Sequence, residues 1–145
     1  MSQPGPAQRL IVVSAEECAP NTRRGGDIRT LLSPRTVGST SGFMGMATVE
    51  AGDFVASHRH PYSEEFIVLV SGSLLVQAGD EELELAPGQG LMVPTDVPHR
   101  LVNRAAVQAR LVFHLAPLAP RPELGHVDLE EHRPAGALQA GGARS

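Results

Sequence analysis

The chain has 145 residues, a length that fits one domain, and 41% of them are apolar, enough to build a core without disulfides. Its formal charge of −4 supplies no cationic footprint for nucleic acid, and its one cysteine, Cys18, excludes an internal disulfide and a metal site built from thiolates. All twelve basic residues are Arg, so no lysine amine is available for Schiff-base or pyridoxal chemistry, and carbonyl chemistry on this chain would need a metal.

In chain order, Met1 to Arg9 lacks an apolar stretch of signal-peptide length, and the runs Leu10 to Val13 and Phe66 to Val70 are too short to span a bilayer. A cytoplasmic protein without membrane contact is expected. A capping-box pattern at Ser14 to Glu17 can open one helical turn, which Pro20 and Gly25-Gly26 stop, so no long helix should form. Short apolar and β-branched runs recur between Gly, Pro, Asp and Ser clusters: 10–13, 28–32, 43–50, 65–70, 74–78, 82–85, 90–93, 100–103 and 107–115. Evenly spaced short strands with turn signals between them predict an all-β sandwich or barrel. Gly79-Asp80 suits a tight hairpin that pairs 74–78 with 82–85. The whole chain, 1–145, reads as one domain, ordered from about residue 10 to 133, with a flexible Pro-, Ala- and Gly-rich tail over 134–145.

The segment from Gly52 to His60 sets His58 and His60 two residues apart on a predicted strand, so both imidazoles project from one face and can share one ion. Two histidines on a strand are ordinarily solvated or core residues, and spacing to other residues has to decide. Glu65 and Gly72 follow, and Gly88, Pro94, Asp96, His99 and Asn103 come after the hairpin. This pattern resembles the two cupin motifs: Gly52, His58, His60, Glu65 and Gly72 fill the first, and Gly88, Pro94, His99 and Asn103 match the second, where Asp96 replaces a Gly. Asp tolerates left-handed backbone better than most residues, so Asp96 can hold that turn. The Gly and Pro positions are read as turn geometry.

The resemblance implies a single jelly-roll cupin with one divalent metal on His58, His60 and His99. The last strand is expected antiparallel beside the strand that begins at Glu65, which brings His114 toward the site. His114 is therefore expected as fourth ligand, with Glu65 beside it as base; Glu65 as fourth ligand is the alternative, and Glu64 should face away.

Leu31 to Gly38, Ser41 to Gly45, His60 to Phe66 and Phe113 to Asp128 look like the bacterial monocupin polyketide cyclases of the tetracenomycin and resistomycin type. That resemblance implies an intramolecular aldol condensation of a poly-β-ketone chain in aromatic polyketide antibiotic biosynthesis. Zinc is the expected metal, with iron or manganese as alternatives, and a cupin dioxygenase using a redox metal is the rival activity. Glu65 is then the expected base and Tyr62 a proton donor. About half of Phe43, Met44, Met46, Phe54, Ile67, Leu69, Leu101 and Phe113 should line the cavity. The expected partners are a small-molecule polyketide, free or presented by the synthase complex, and a second copy in a homodimer that exchanges Leu10 to Val13 or Ile28 to Leu32.

Overall fold

A computed structural model describes residues 9–132; the tail expected over 134–145 lies outside them. Ten strands, β1 (Asp27–Leu32), β2 (Phe43–Val49), β3 (Phe54–Arg59), β4 (Glu64–Ser71), β5 (Leu74–Ala78), β6 (Glu81–Leu85), β7 (Gly90–Val93), β8 (His99–Val102), β9 (Ala109–Ala116) and β10 (Val127–Asp128), form two five-stranded sheets. One has the order β1-β2-β9-β4-β7 and the other β10-β3-β8-β5-β6, and every pairing is antiparallel. Alternation along the strands turns Val49, Ile67, Leu69 and Leu111 from the first sheet, and Val55, Leu74 and Val76 from the second, into one buried apolar layer.

The expected hairpin is present: β5 pairs with β6 from Leu74↔Leu85 to Ala78↔Glu81, and Gly79 takes a φ of 59° that its missing Cβ permits. The last long strand, β9, lies antiparallel to β4 as expected. Leu10 to Val13 forms no strand; it runs as irregular chain with Leu10 and Val12 fully exposed, because it lies against no sheet edge that could hydrogen-bond it. Ile28 to Leu32 is already paired within the chain, to β2. Among the described residues helix is confined to single turns at Ala15–Glu17, Pro34–Val37 and Pro122–Leu124. The second was not foreseen, though its signal was in the sequence: Ser33 and Thr36 cap each other reciprocally around Pro34 at the first turn. Among the described residues no helix is long and apolar enough to cross a membrane.

Candidate metal centre

The registers of β3 and β8 bring three histidines together. Between the pairs Val55↔Leu101 and His58↔His99 there are three steps on β3 against two on β8, so β3 carries a bulge. Without it, Val55 and His58 would point to opposite faces; with it, both are buried. The turn over Pro94–Val97 then locks the loop that follows. Asp96 adopts a φ of 66°, the conformation the motif ordinarily gives to Gly, and its N–H donates to the His60 carbonyl at 2.8 Å. Its carboxylate also accepts from Arg59, a contact glycine could not make. At the other end of the β3–β8 ladder, buried Asn103 donates Nδ2–H to the Val49 and Val107 carbonyls at 2.9 and 2.8 Å, and its backbone bonds to Gly52 and Asp53 fix the start of β3.

Each imidazole is oriented by a backbone carbonyl. Nδ1 of His58 lies 2.7 Å from Ala56 O, Nδ1 of His60 lies 3.1 Å from Gly125 O, and Nδ1 of His99 lies 2.9 Å from Val97 O. A carbonyl only accepts, so each Nδ1 carries the hydrogen and each Nε2 is left for a ligand bond. Glu65 enters from the opposite sheet, with Oε1 2.7 Å from His99 Nε2 and 3.2 Å from His60 Nε2. The ligand atoms of His58, His60, Glu65 and His99 all lie within 4.8 Å of one another, and all four residues are buried.

These residues fit a divalent cation. His60 Nε2 is buried and, although near Glu65, is not aligned for a hydrogen bond and has no other partner. A buried nitrogen without a hydrogen-bond partner, beside a carboxylate and two more imidazoles, is one that a cation would satisfy. The electrostatics agree. Burial and the neighbouring His99 push His58 down to about 3, so it stays neutral. Burial alone would raise the Glu65 carboxyl, but the His60 and His99 imidazoles facing it outweigh that and hold it well below the usual carboxylate range. Burial would likewise lower His99, but its hydrogen bond to Glu65 raises it instead. Three imidazole nitrogens and one carboxylate oxygen converging on one point suit a borderline metal.

His114 requires a correction. The expected strand pairing is real, but Glu65 stands opposite Leu115 and His114 stands opposite Phe66. Leu111, Phe113 and Leu115 point into the core, so His114 projects from the outer face, where its ring meets Phe66 at 5.9 Å. Parity thus leaves Glu65 as the fourth member of the cluster. Glu64 shares the outer face. Tyr62 lies on the connection between β3 and β4, 43% exposed, and among the described residues its hydroxyl has no hydrogen-bond partner. Of the expected cavity walls, Ile67, Leu69, Leu101 and Phe113 are buried and Phe43 packs against them. Met44 and Met46 point outward beside His114 and Val112, and Phe54 faces outward under the Arg100 guanidinium.

The residue that the sequence reading passed over is His126. Strand β10 adds to the free edge of β3, setting Asp128 opposite His58. This lays the His126 ring on that of His58, centroids 4.7 Å apart and nearly parallel, and edge-on to His60 at 5.2 Å. Asp128 holds His126 Nε2 at 2.7 Å and is itself held by Arg24 at 2.7 Å. Burial, reinforced by Arg24, pushes His126 down to about 4. The available signal was a His-x-Asp pattern after a glycine, which gains meaning only once the strand is known to cross the site.

The family model that describes the cupin domain matches residues 45–115. Among curated proteins, the chain is 54% identical over 124 residues to protein SchB of Streptomyces halstedii, covering 86% of this chain and 90% of that one. It is 55% identical over 122 residues to the polyketide synthase CurC of Streptomyces cyaneus, covering 84% and 79%. With the tetracenomycin polyketide synthase protein TcmJ of Streptomyces glaucescens the identity is 46% over 118 residues, covering 81% and 79%. The fold is also that of an uncharacterised double-stranded β-helix protein from Klebsiella pneumoniae, with a TM-score of 0.66 at 17% identity over 85% of this chain and 100% of that one. With both histidine motifs converging on one buried cluster and relatives this similar along most of their length, the chain belongs to the cupin family, in the group that holds SchB, CurC and TcmJ.

Proposed function

We propose that the protein is a zinc-dependent polyketide cyclase that closes rings in a poly-β-ketone chain by intramolecular aldol condensation. The observation that carries this is the converged His58, His60, Glu65 and His99 cluster, in a chain whose relatives include proteins named for polyketide synthases. The condensation removes a proton from an α-carbon, joins that carbon to a carbonyl carbon of the same chain, and then expels water. A zinc ion held on the three histidines and Glu65 would act as a Lewis acid toward the carbonyl oxygens, without redox chemistry that would endanger an oxidisable substrate.

The chain's own groups supply the rest. Glu65 faces the histidines through Oε1, and Oε2, which has no hydrogen-bond partner among the described residues, is the atom assigned to take the α-proton. Tyr62 is assigned the rim, where its phenol can hydrogen-bond a substrate oxygen. The carbonyls of Ala56, Val97 and Gly125 keep the imidazoles from turning as the substrate enters. The absence of lysine is consistent with activation of a ketone without an amine.

The test adds the protein to a minimal aromatic polyketide synthase and reads the products by mass spectrometry and ultraviolet spectra. A changed ring pattern is expected with the untreated protein, its loss after chelation, and its recovery on adding zinc. An unchanged pattern would refute cyclisation. Oxygen consumption together with loss of activity under nitrogen would replace it with a dioxygenase on iron or manganese.

A further inference from the structure

We propose that the apolar cleft where the two sheets part, with β5 and β6 on one side and β7 on the other, is a subsite that takes a hydrocarbon part of the substrate, and that Ala78 and Leu91 set the size of what fits. The inference rests on the reading that a β-diketone binds at the metal, and it adds which part of the same molecule lies beside it.

At this edge the inner faces of both sheets come open. Leu85 and Leu83 of β6 lie on one face, opposite the buried Leu74 and Val76 of β5, yet Leu85 is 5% exposed and Leu83 50%. Residues two apart on a strand point the same way, so the interior is closed over Leu85 and open over Leu83. Across the gap, β7 turns Leu91 and Val93 inward, opposite Ile67 and Glu65. The resulting cleft has a volume of about 510 Å³, within the range of small-molecule sites. An inward-facing leucine left half wet forfeits burial that a ligand would restore.

Strand register carries the cleft to the metal cluster. Glu65 pairs with Val93, and His99 pairs with Ala78. Glu65 and His99 meet at 2.7 Å across the two sheets. Val93 and Ala78, one strand further out on either sheet, therefore stand beside that pair and form the inner end of the cleft. Cross-strand neighbours lie about 5 Å apart, so a molecule held at the metal reaches the cleft with its next few atoms. The Gly79 N–H donates to the Pro98 carbonyl at 3.2 Å, which ties the β5–β6 hairpin to the loop before His99 and fixes that wall.

The lining selects the occupant. Val76, Ala78, Leu91, Val93, Pro94 and Val97 line the cleft without one polar side-chain atom, and the charged Asp80 and Glu81 stand apart on the hairpin. A poly-β-ketone carries an oxygen on every second carbon, and these side chains would strip such carbonyls of water with no donor in return. The part of the substrate that lies here is therefore one without ketones: a ring already closed with loss of water, or the alkyl end from which the chain was begun. A closed ring would place this protein after another ring-forming step.

Calorimetry on the zinc-loaded full chain tests this with four β-diketones: acetylacetone, which occupies the metal alone, benzoylacetone, which adds a ring, hexanoylacetone, which adds an alkyl end, and diacetylacetone, which adds a further ketone. At least one of the two hydrocarbon-bearing probes should bind about tenfold or more tighter than acetylacetone, and diacetylacetone no tighter. The tighter of the two names the source, ring or alkyl end. Ala78→Leu and Leu91→Phe, which fill the cleft from either sheet, should each remove most of that gain while the affinities for acetylacetone and zinc stay within about twofold; if one variant does not fold, the other decides. A hydrocarbon gain that is absent, that diacetylacetone matches, or that survives both substitutions overturns the proposal, as does an equal loss of acetylacetone in the variants. If acetylacetone itself fails to bind, the reading of the metal centre falls and the inference with it.

Discussion

The two faces of strand β4 differ in opposite directions from what a β-sandwich ordinarily shows. On the inner face, where apolar side chains belong, Glu65 sits buried among three imidazoles. On the outer face, where polar side chains belong, Phe66, Val68 and Val70 stand in solvent. Burying a carboxylate without compensation costs several kcal/mol, and exposing a row of apolar side chains forfeits about 25 cal/mol for each Å² left wet. Neither arrangement is explained by the stability of an isolated chain. The inner arrangement is one that could hold a cation, and one strand carries both features because its side chains alternate.

The sharpest way to break this contrast is to remove a histidine from each side. His99→Ala takes away a nitrogen 2.7 Å from Glu65. It should lower zinc affinity by more than about 100-fold, since the loss of a mere supporting hydrogen bond already costs 10–100-fold. His114→Ala, on the far side of the same sheet, should leave that affinity within about twofold. Competition with a chromophoric chelator measures both. Loss of zinc binding in His114→Ala would mean that the outer histidine reaches the metal after all.

That pair of histidines also marks how far the sequence could be read. The motif spacing located His58, His60, Glu65 and His99, because turn residues such as Gly52 and Asn103 and the His-x-His parity are local properties. The antiparallel pairing of β9 with β4 followed from the resemblance to jelly-roll cupins and is present. What failed was one residue of register: the difference between Leu115 and His114 opposite Glu65 is set by packing of Leu111, Phe113 and Leu115 against the other sheet. The bulge in β3 was equally silent, since nothing in Val55-Ala56-Ser57 announces an extra residue. His126 was missed for a further reason. It reaches the site through a two-residue strand more than sixty positions after His60, and so short an element has no periodicity to detect.

His126 offers a smaller test, in the metal-free protein. Burial lowers His126 to about 4 and His58 to about 3 from an ordinary value near 6.5. Below pH 6.5 the unfolded chain therefore binds protons that the folded chain refuses at these two sites, and stability falls as pH falls. His99, raised by Glu65, works the other way and adds stability that is fully present below 6.5 and lost as pH rises through its folded value. With two groups against one, chelator-treated protein should unfold more easily in urea at pH 5 than at pH 7. His126→Gln should shrink that difference by about 1–2 kcal/mol. An undiminished pH dependence would place the acid sensitivity in the inner cluster alone.

The smallest effect concerns the turn that holds the site's loop. At a φ of 66°, Asp96 occupies backbone that glycine adopts without strain, so Asp96→Gly relieves a steric cost while adding freedom to the unfolded chain. The same change deletes the contact with Arg59, a partly exposed ion pair worth about 0–1 kcal/mol. The N–H that bonds the His60 carbonyl is kept by either residue. These contributions oppose one another, so urea denaturation should register a net change below about 1 kcal/mol, and zinc affinity should hold within about twofold. A larger loss of affinity would show that the Arg59 carboxylate partner, rather than the backbone turn, is what keeps His60 facing the metal.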